Sequence, residues 1–251
     1  MNYFRGPYPL SVPAPSGKSP LTKFTLVLDL DSTLLFTWEE GHKFDGPATF
    51  RDPAYISLRQ RFYRLELENL IGRGDGTKHS YWGITRPYLD EFLAFASDYF
   101  TNIVICTAGV EAYADAVSDI LFRDLPYPCA VFSRDDLETH NGLLRKPLRV
   151  LIPRVGRGMD PTNTLVLDDN ETTFLFNPDN GVLIPRYEPD STHAAMSTPD
   201  IALLQFKTWL LRPEVMASND VRTLDKKYIF NSADNLPGPA TPLSPRSVRA
   251  S

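Results

Sequence analysis

The sequence predicts an α/β fold, with a central, mainly parallel sheet, helices on both faces and a small β-hairpin insertion. Three observations predict it. Short continuous apolar runs recur along the chain, as in strands covered on both faces. Stretches with apolar residues three and four apart lie between several of them, as in helices that bury one face. One block, from about Trp38 to Thr85, breaks this alternation. Strands that alternate with helices point to a parallel sheet.

The elements follow in order. The first twenty residues are rich in Pro, Ser and Gly and read as a flexible arm. Phe24-Thr25-Leu26-Val27-Leu28 is the first strand and runs into Asp29. In the insertion, Phe62 to Glu68 alternates apolar and polar residues. Gly72-Arg73-Gly74-Asp75-Gly76 makes a turn, and Tyr81-Trp82-Gly83-Ile84 is the return strand of a hairpin. Leu89, Phe92, Leu93 and Ala96 have helical spacing after Arg86-Pro87, as do Val110, Tyr113, Ala114, Val117 and Leu121. The runs at 103–106, 129–132, 164–167 and 182–184 are the remaining strands. Thr198-Pro199-Asp200 signals the start of a helix carrying Leu203, Leu204, Phe206 and Leu210. From about Ser232 the composition again fits a disordered tail.

With 251 residues, 42% hydrophobic and 23% charged, the chain is balanced like an ordinary soluble globular protein. Its net charge of -5, from 26 basic and 31 acidic side chains, argues against a dedicated nucleic-acid binder. Cys106 and Cys129 lie in apolar runs and read as free thiols, too few for a disulfide scaffold or a cysteine zinc site. With no leader-like N-terminus and no apolar run near ~20 residues, the expectation is a soluble intracellular protein, nuclear or cytoplasmic, with no membrane partner.

In open parallel sheets, ligands bind beyond the carboxyl ends of the strands. The polar residues at those ends are Asp29 and Asp31, Thr107, and Asp168 with Asp169. Four carboxylates gathered at one edge repel each other, and a hard divalent cation with oxygen ligands relieves that. One aspartate can attack phosphorus, and the second can protonate the leaving oxygen and later deprotonate water. Positive charge on the equatorial oxygens would come from Mg²⁺ and a lysine, for which Lys146 is the best candidate. Read singly, each residue has a plainer explanation. Asp29 and Asp31 fit a turn and cap, Thr107 a helix cap, Lys146 a solvated lysine, and Arg134 an exposed charge cluster. His79 and His140 read as surface residues.

Leu26-Val-Leu-Asp-Leu-Asp-Ser-Thr-Leu-Leu35 resembles the first motif of the haloacid-dehalogenase superfamily. More narrowly, it is similar to the FCP/SCP phosphatases of the RNA polymerase II C-terminal domain and the related NLI-interacting-factor group. Four further blocks agree in order: Arg86-Pro87-Tyr88-Leu89-Asp90-Glu91-Phe92-Leu93, Cys106-Thr107-Ala108-Gly109 with Tyr113-Ala114-Asp115, Ser133-Arg134-Asp135, and Leu167-Asp168-Asp169-Asn170 leading to Asn177-Pro178-Asp179-Asn180. The resemblance spans roughly residues 22 to 212. It implies a haloacid-dehalogenase-like Rossmannoid fold, with one catalytic domain over residues 21–231.

Carried over by residue, the resemblance makes Asp29 the nucleophile and Asp31 the general acid/base. Thr107 and Lys146 would hold the transferring phosphoryl group, and Arg134 and Thr33 would bind substrate. Mg²⁺ would be held by Asp29, Asp31 through its backbone carbonyl, and Asp169; Asp168 would act through water or orient Lys146. The sequence departs from the family at Ser32 (often acidic or Gln), Asp169 (Asn in many small members) and Pro147 (commonly Asp). The implied function is Mg²⁺-dependent hydrolysis of phosphoserine or phosphothreonine in proteins, with the polymerase C-terminal domain as the family's substrate. The alternatives are a non-catalytic phosphopeptide-binding module of the same fold, and a small-molecule or polynucleotide-end phosphatase. Asp31 favours phosphate esters over halides, because an alkoxide leaving group needs a proton and a halide does not.

Overall fold

A computed structural model describes residues 19–39, 44–68 and 78–231. The apolar runs form five parallel strands. They are β1 (Thr25–Leu28), β5 (Asn102–Cys106), β6 (Ala130–Phe132), β9 (Thr164–Asp168) and β10 (Gly181–Leu183), in the order β10-β9-β1-β5-β6. β1 lies at the centre, paired with β5 on one side and β9 on the other. Side chains alternate across a strand, so β1 feeds two cores. Leu26 and Leu28 pack with α2 (Leu89–Tyr99), α3 (Glu111–Leu121) and α6 (Ala202–Leu210). Val27 faces the other way and packs with α4 (Leu148–Val155) through Leu148 and Leu151. Helices therefore cover both faces, which is why these strands read as unbroken apolar runs.

The insertion is larger than a hairpin. β3 (Phe62–Glu68) and β4 (Lys78–Thr85) pair antiparallel as expected, while the Gly-rich turn at 72–76 lies outside the described residues. A third strand, β2 (Leu35–Glu39), pairs with β4 and begins four residues after Asp31. α1 (Gly46–Arg51) and a 3-10 helix (Pro53–Arg61) complete the insertion. Trp38, Phe44, Leu58, Trp82 and Ile84 give it a core of its own, together with Tyr187 and with Met196 of the short α5 (His193–Met196). β2 escaped sequence reading because Leu35-Phe36-Thr37-Trp38-Glu39 follows the first motif without a turn residue between them.

A further hairpin and a helix are additional to the expected elements. β7 (Glu138–His140) and β8 (Leu143–Arg145) form a hairpin around Asn141-Gly142, both at positive φ, 52° and 76°. Asn-Gly is the dipeptide that a two-residue hairpin turn of this kind prefers, so the signal was present in the sequence. α4 carries Pro153, which masked its apolar spacing. α6 starts at Ala202, just after the Thr198-Pro199-Asp200 signal, and its first-turn N–H at Ala202 donates to Asp200 at 3.0 Å. The short α7 (Pro213–Met216) follows it.

Gly83 is a packing requirement. It sits opposite Tyr63 in the β3-β4 register, and a Cβ there would lie 2.0 Å from Tyr63 Cζ. The Tyr63 ring is buried and its hydroxyl is held 2.7 Å from Thr37 Oγ1, so it cannot swing aside freely. Gly83→Ala is expected to lower unfolding free energy by about 1–3 kcal/mol in urea denaturation. An unchanged midpoint would show that the ring is free to move.

Candidate active site

Parallel register brings the acidic strand ends to one level. Leu28 pairs with Leu167 and with Ile105, so the next residues, Asp29, Asp168 and Cys106, emerge side by side, with Thr107 one further on. After Asp29 the chain winds tightly. The carbonyl of Leu30 accepts from the N–H groups of Thr33, Leu34 and Leu35, and Ser32 sits at φ 61°. This turn returns Asp31 to the same edge, two residues after Asp29.

Lys146 follows β8 and is buried with its ammonium 2.6 Å from Asp29 Oδ1 and 2.6 Å from Asp168 Oδ2. Asn177 holds the next turn in place, its Oδ1 accepting from the Leu148 N–H at 3.1 Å. Thr107 is buried, and its Oγ1 accepts from the Gly109 N–H at 3.1 Å, which leaves its own hydroxyl proton to donate. Arg134 is exposed at the cleft and pinned to Ala108 O through Nε at 2.8 Å. These residues, with Asp31 and Asp169, line a cleft of about 550 Å³.

Thr33 is placed differently from its expected substrate contact. It is fully buried and absent from the cleft lining. Its hydroxyl accepts from the Asp169 N–H at 3.1 Å and reaches Asp169 Oδ1 at 3.4 Å. It orients Asp169. Sequence reasoning also missed three groups around Asp31. Tyr113 donates to Asp31 Oδ1 at 2.6 Å, and Thr37 lies 3.3 Å from the same oxygen. Tyr63 lies behind Thr37. Tyr113 had been read as part of an apolar helical face, and Thr37 and Tyr63 come from the insertion, so only the fold connects them. Arg186, also missed, lines the cleft 3.4 Å from Asp169 Oδ2 and 2.9 Å from Glu188.

The electrostatics follow from burial and crowding. Burial pushes the Asp29 carboxyl up to about 7, with the Asp168 charge adding to it and Lys146 opposing both. Asp31 is raised by burial, against the hydrogen bonds from Tyr113 and Thr37. Asp169 is raised by burial and by Asp168, and Arg186 opposes the shift. Burial alone would lower Lys146, but its two carboxylate partners outweigh that and hold the ammonium above its ordinary value. One lysine thus faces more negative charge than it balances. Oxygens of Asp29, Asp168 and Asp169 lie within 4.8 Å of one another, a hard-ligand set that fits a divalent cation.

A sequence model of the family described as NLI interacting factor-like phosphatase matches residues 24–222. Human carboxy-terminal domain RNA polymerase II polypeptide A small phosphatase 2 is 35% identical over 172 residues, covering 67% of this chain and 51% of its own. CTD small phosphatase-like protein 1 of Caenorhabditis elegans is 32% identical over 168 residues, covering 67% and 28%. This chain therefore spans about half the length, or less, of these curated relatives. The fission yeast RNA polymerase II CTD phosphatase Fcp1, bound to beryllium fluoride, has a similar fold. Its TM-score is 0.53 at 24% identity, over 67% of this chain and 43% of that one.

Proposed function

The chain belongs to the family of NLI interacting factor-like phosphatases, and we propose that it hydrolyses phosphoserine or phosphothreonine in proteins through an aspartyl-phosphate on Asp29. The observation that carries this reading is the pairing inside one cleft of Asp29, held by Lys146, with Asp31, whose raised pKa suits a proton donor. The human relative and the fission yeast Fcp1 are named as phosphatases of the RNA polymerase II C-terminal domain, which makes a phosphorylated, extended peptide the substrate class to test first. The cleft favours such a peptide: among the described residues, the insertion beyond Leu35 contributes none to its lining.

Each residue then has a defined task. An Asp29 carboxylate oxygen attacks phosphorus, and the bond to the serine or threonine oxygen breaks. Asp31 gives its proton to that leaving oxygen. In the second half, Asp31 takes a proton from water, the water oxygen attacks phosphorus, and Asp29 departs as carboxylate with release of phosphate. Lys146 and the Thr107 hydroxyl stabilise charge on the phosphoryl oxygens, and Arg134 meets the incoming phosphate at the rim. Asp29, Asp169 and Asp168, with the Asp31 carbonyl, would hold Mg²⁺, which supplies neutralising charge at the phosphoryl oxygens. Thr33 acts through Asp169 by positioning it.

A phosphopeptide array with Mg²⁺ tests the reading. Release of phosphate from phosphoserine or phosphothreonine peptides is expected, and its loss with chelator. Efficient turnover of a sugar phosphate or nucleotide with none on peptides would refute it, and no turnover of any ester would favour a binding module. Metal binding has a separate signature in stability. Asp29 rises on folding from 3.8 to about 7, so between those values the folded state binds the extra proton. The metal-free protein therefore loses stability as pH rises through that window. At about pH 8, Mg²⁺ a hundredfold above its Kd is expected to raise Tm by about 5–10 °C, and near pH 5 by far less. An equal shift at both pH values would exclude these carboxylates as the ligands.

A further inference from the structure

A second and larger concavity, about 890 Å³, lies beside β6 and shares no lining residue with the catalytic cleft. β6 is the last strand of the five-stranded sheet, paired with β5 on one side and with no strand on the other among the described residues. An open strand edge presents backbone donors and acceptors to any extended chain, and soluble proteins ordinarily blunt or cover such edges. Here the edge forms one side of the groove. Its lining has an apolar part, made by Phe122, Leu125, Tyr127, Pro128 and Val131.

The charge around that apolar part is one-sided. Glu111, Asp115, Asp119, Asp135 and Asp136 line the groove, against Arg123 and Arg154. Arg154 is already held by Asp136 at 2.5 Å, and Arg123 pairs at 3.3 Å with Asp124, a carboxylate outside the groove. The concavity is therefore acidic as a whole, and its complement is a cation-bearing chain. A strand laid along an edge alternates its side chains, so alternate residues reach the apolar part of the lining while the others meet the charged part.

We propose that the β6 groove docks an extended, basic segment of a protein partner in which Lys or Arg alternates with apolar residues. The groove and the catalytic cleft meet at the turn 133–137. Ser133, Asp135 and Asp136 face the groove, whereas Arg134 and Leu137 face the cleft. A docked segment thus lies next to the phosphate-binding rim without occupying it. This binding role goes beyond the phosphatase reading and stands whether or not the cleft turns over phosphoesters.

Selection of random twelve-residue displayed peptides on the full chain tests it, with the Asp119→Asn/Asp135→Asn double variant as counter-target. Enriched sequences are expected to alternate Lys or Arg with Val, Ile or Leu. The synthesised peptides should bind the variant at least about fivefold more weakly and weaken further as salt is raised. They should slow hydrogen exchange at the backbone amides of residues 129–133. Hydrolysis of a generic aryl phosphate should be the same in the variant, since neither carboxylate lies in the cleft. Failure to enrich any sequence, enrichment of neutral or acidic peptides, equal binding to the variant, or protection confined to other segments would each overturn the proposal. Competition by a synthetic peptide of residues 232–251 would make this chain's own C-terminal segment the occupant, and would overturn the assignment to a partner.

Discussion

Asp29→Asn is expected to lower kcat by about 10⁴-fold or more while leaving Tm unchanged or raised. The amide keeps the size of the carboxylate and an oxygen for the Lys146 ammonium to donate to, now 2.6 Å from Asp29 Oδ1. What it loses is the negative oxygen that attacks phosphorus. Stability moves the other way because the carboxyl is held at about 7, above its ordinary value of 3.8, chiefly by burial and also by the neighbouring Asp168. A carboxylate whose pKa rises on folding is a cost to the folded state above that window, and an uncharged isostere removes the cost. Steady-state kinetics on a phosphopeptide and an aryl phosphate, beside thermal melts with and without Mg²⁺, separate the two effects. Residual activity within tenfold of the parent would remove Asp29 as nucleophile. A large fall in Tm would mean that its charge stabilises the Lys146 cluster.

The second large effect is structural. Arg86→Met is expected to cost about 3–5 kcal/mol of unfolding free energy. The Arg86 side chain is fully buried, and each of its three guanidinium nitrogens donates a hydrogen bond. Nε and one terminal nitrogen grip Asp200 at 3.0 and 2.8 Å, and the two terminal nitrogens reach Thr33 O at 2.9 Å and Pro185 O at 2.7 Å. Methionine fills much of the volume but leaves a carboxylate and two carbonyls without their donor. Denaturant unfolding of Arg86→Met beside Arg86→Met/Asp200→Asn provides the check. The double variant should recover part of the loss, since it no longer carries the uncompensated charge. A loss below about 1 kcal/mol for Arg86→Met would show that solvent reaches these groups.

Arg86 also illustrates the limits of linear reading. Arg86-Pro87 was visible as the lead-in to a helix and as one block of the family resemblance. Nothing local revealed that Arg86 ties together the loop carrying Thr33, the segment after β10 and the cap of α6. Thr33 is a similar case. Its place in the first motif suggested substrate contact, but its hydroxyl is used by Asp169, 136 residues away in sequence. Asp31's partners Thr37 and Tyr113 are separated from it by 6 and 82 residues, and pairing of β2 with β4 is what sets Thr37 in position.

The five parallel strands, the helices α2, α3 and α6 and the carboxylates at the strand ends were legible because each depends on short-range pattern. A strand buried on both faces must be apolar throughout, a helix with one buried face must repeat at 3–4 residues, and residues at the carboxyl ends of parallel strands share one edge by topology. Asp29, Asp31, Thr107, Asp168 and Asp169, taken together as strand-end residues, therefore pointed to one candidate site. The tertiary structure decided what those residues touch: the two-way grip of Lys146, the hydroxyls around Asp31, the role of Thr33 and the acidic groove beside β6. Those contacts depend on strand register and on loops that approach from distant parts of the chain, and periodicity along the sequence carries no information about either.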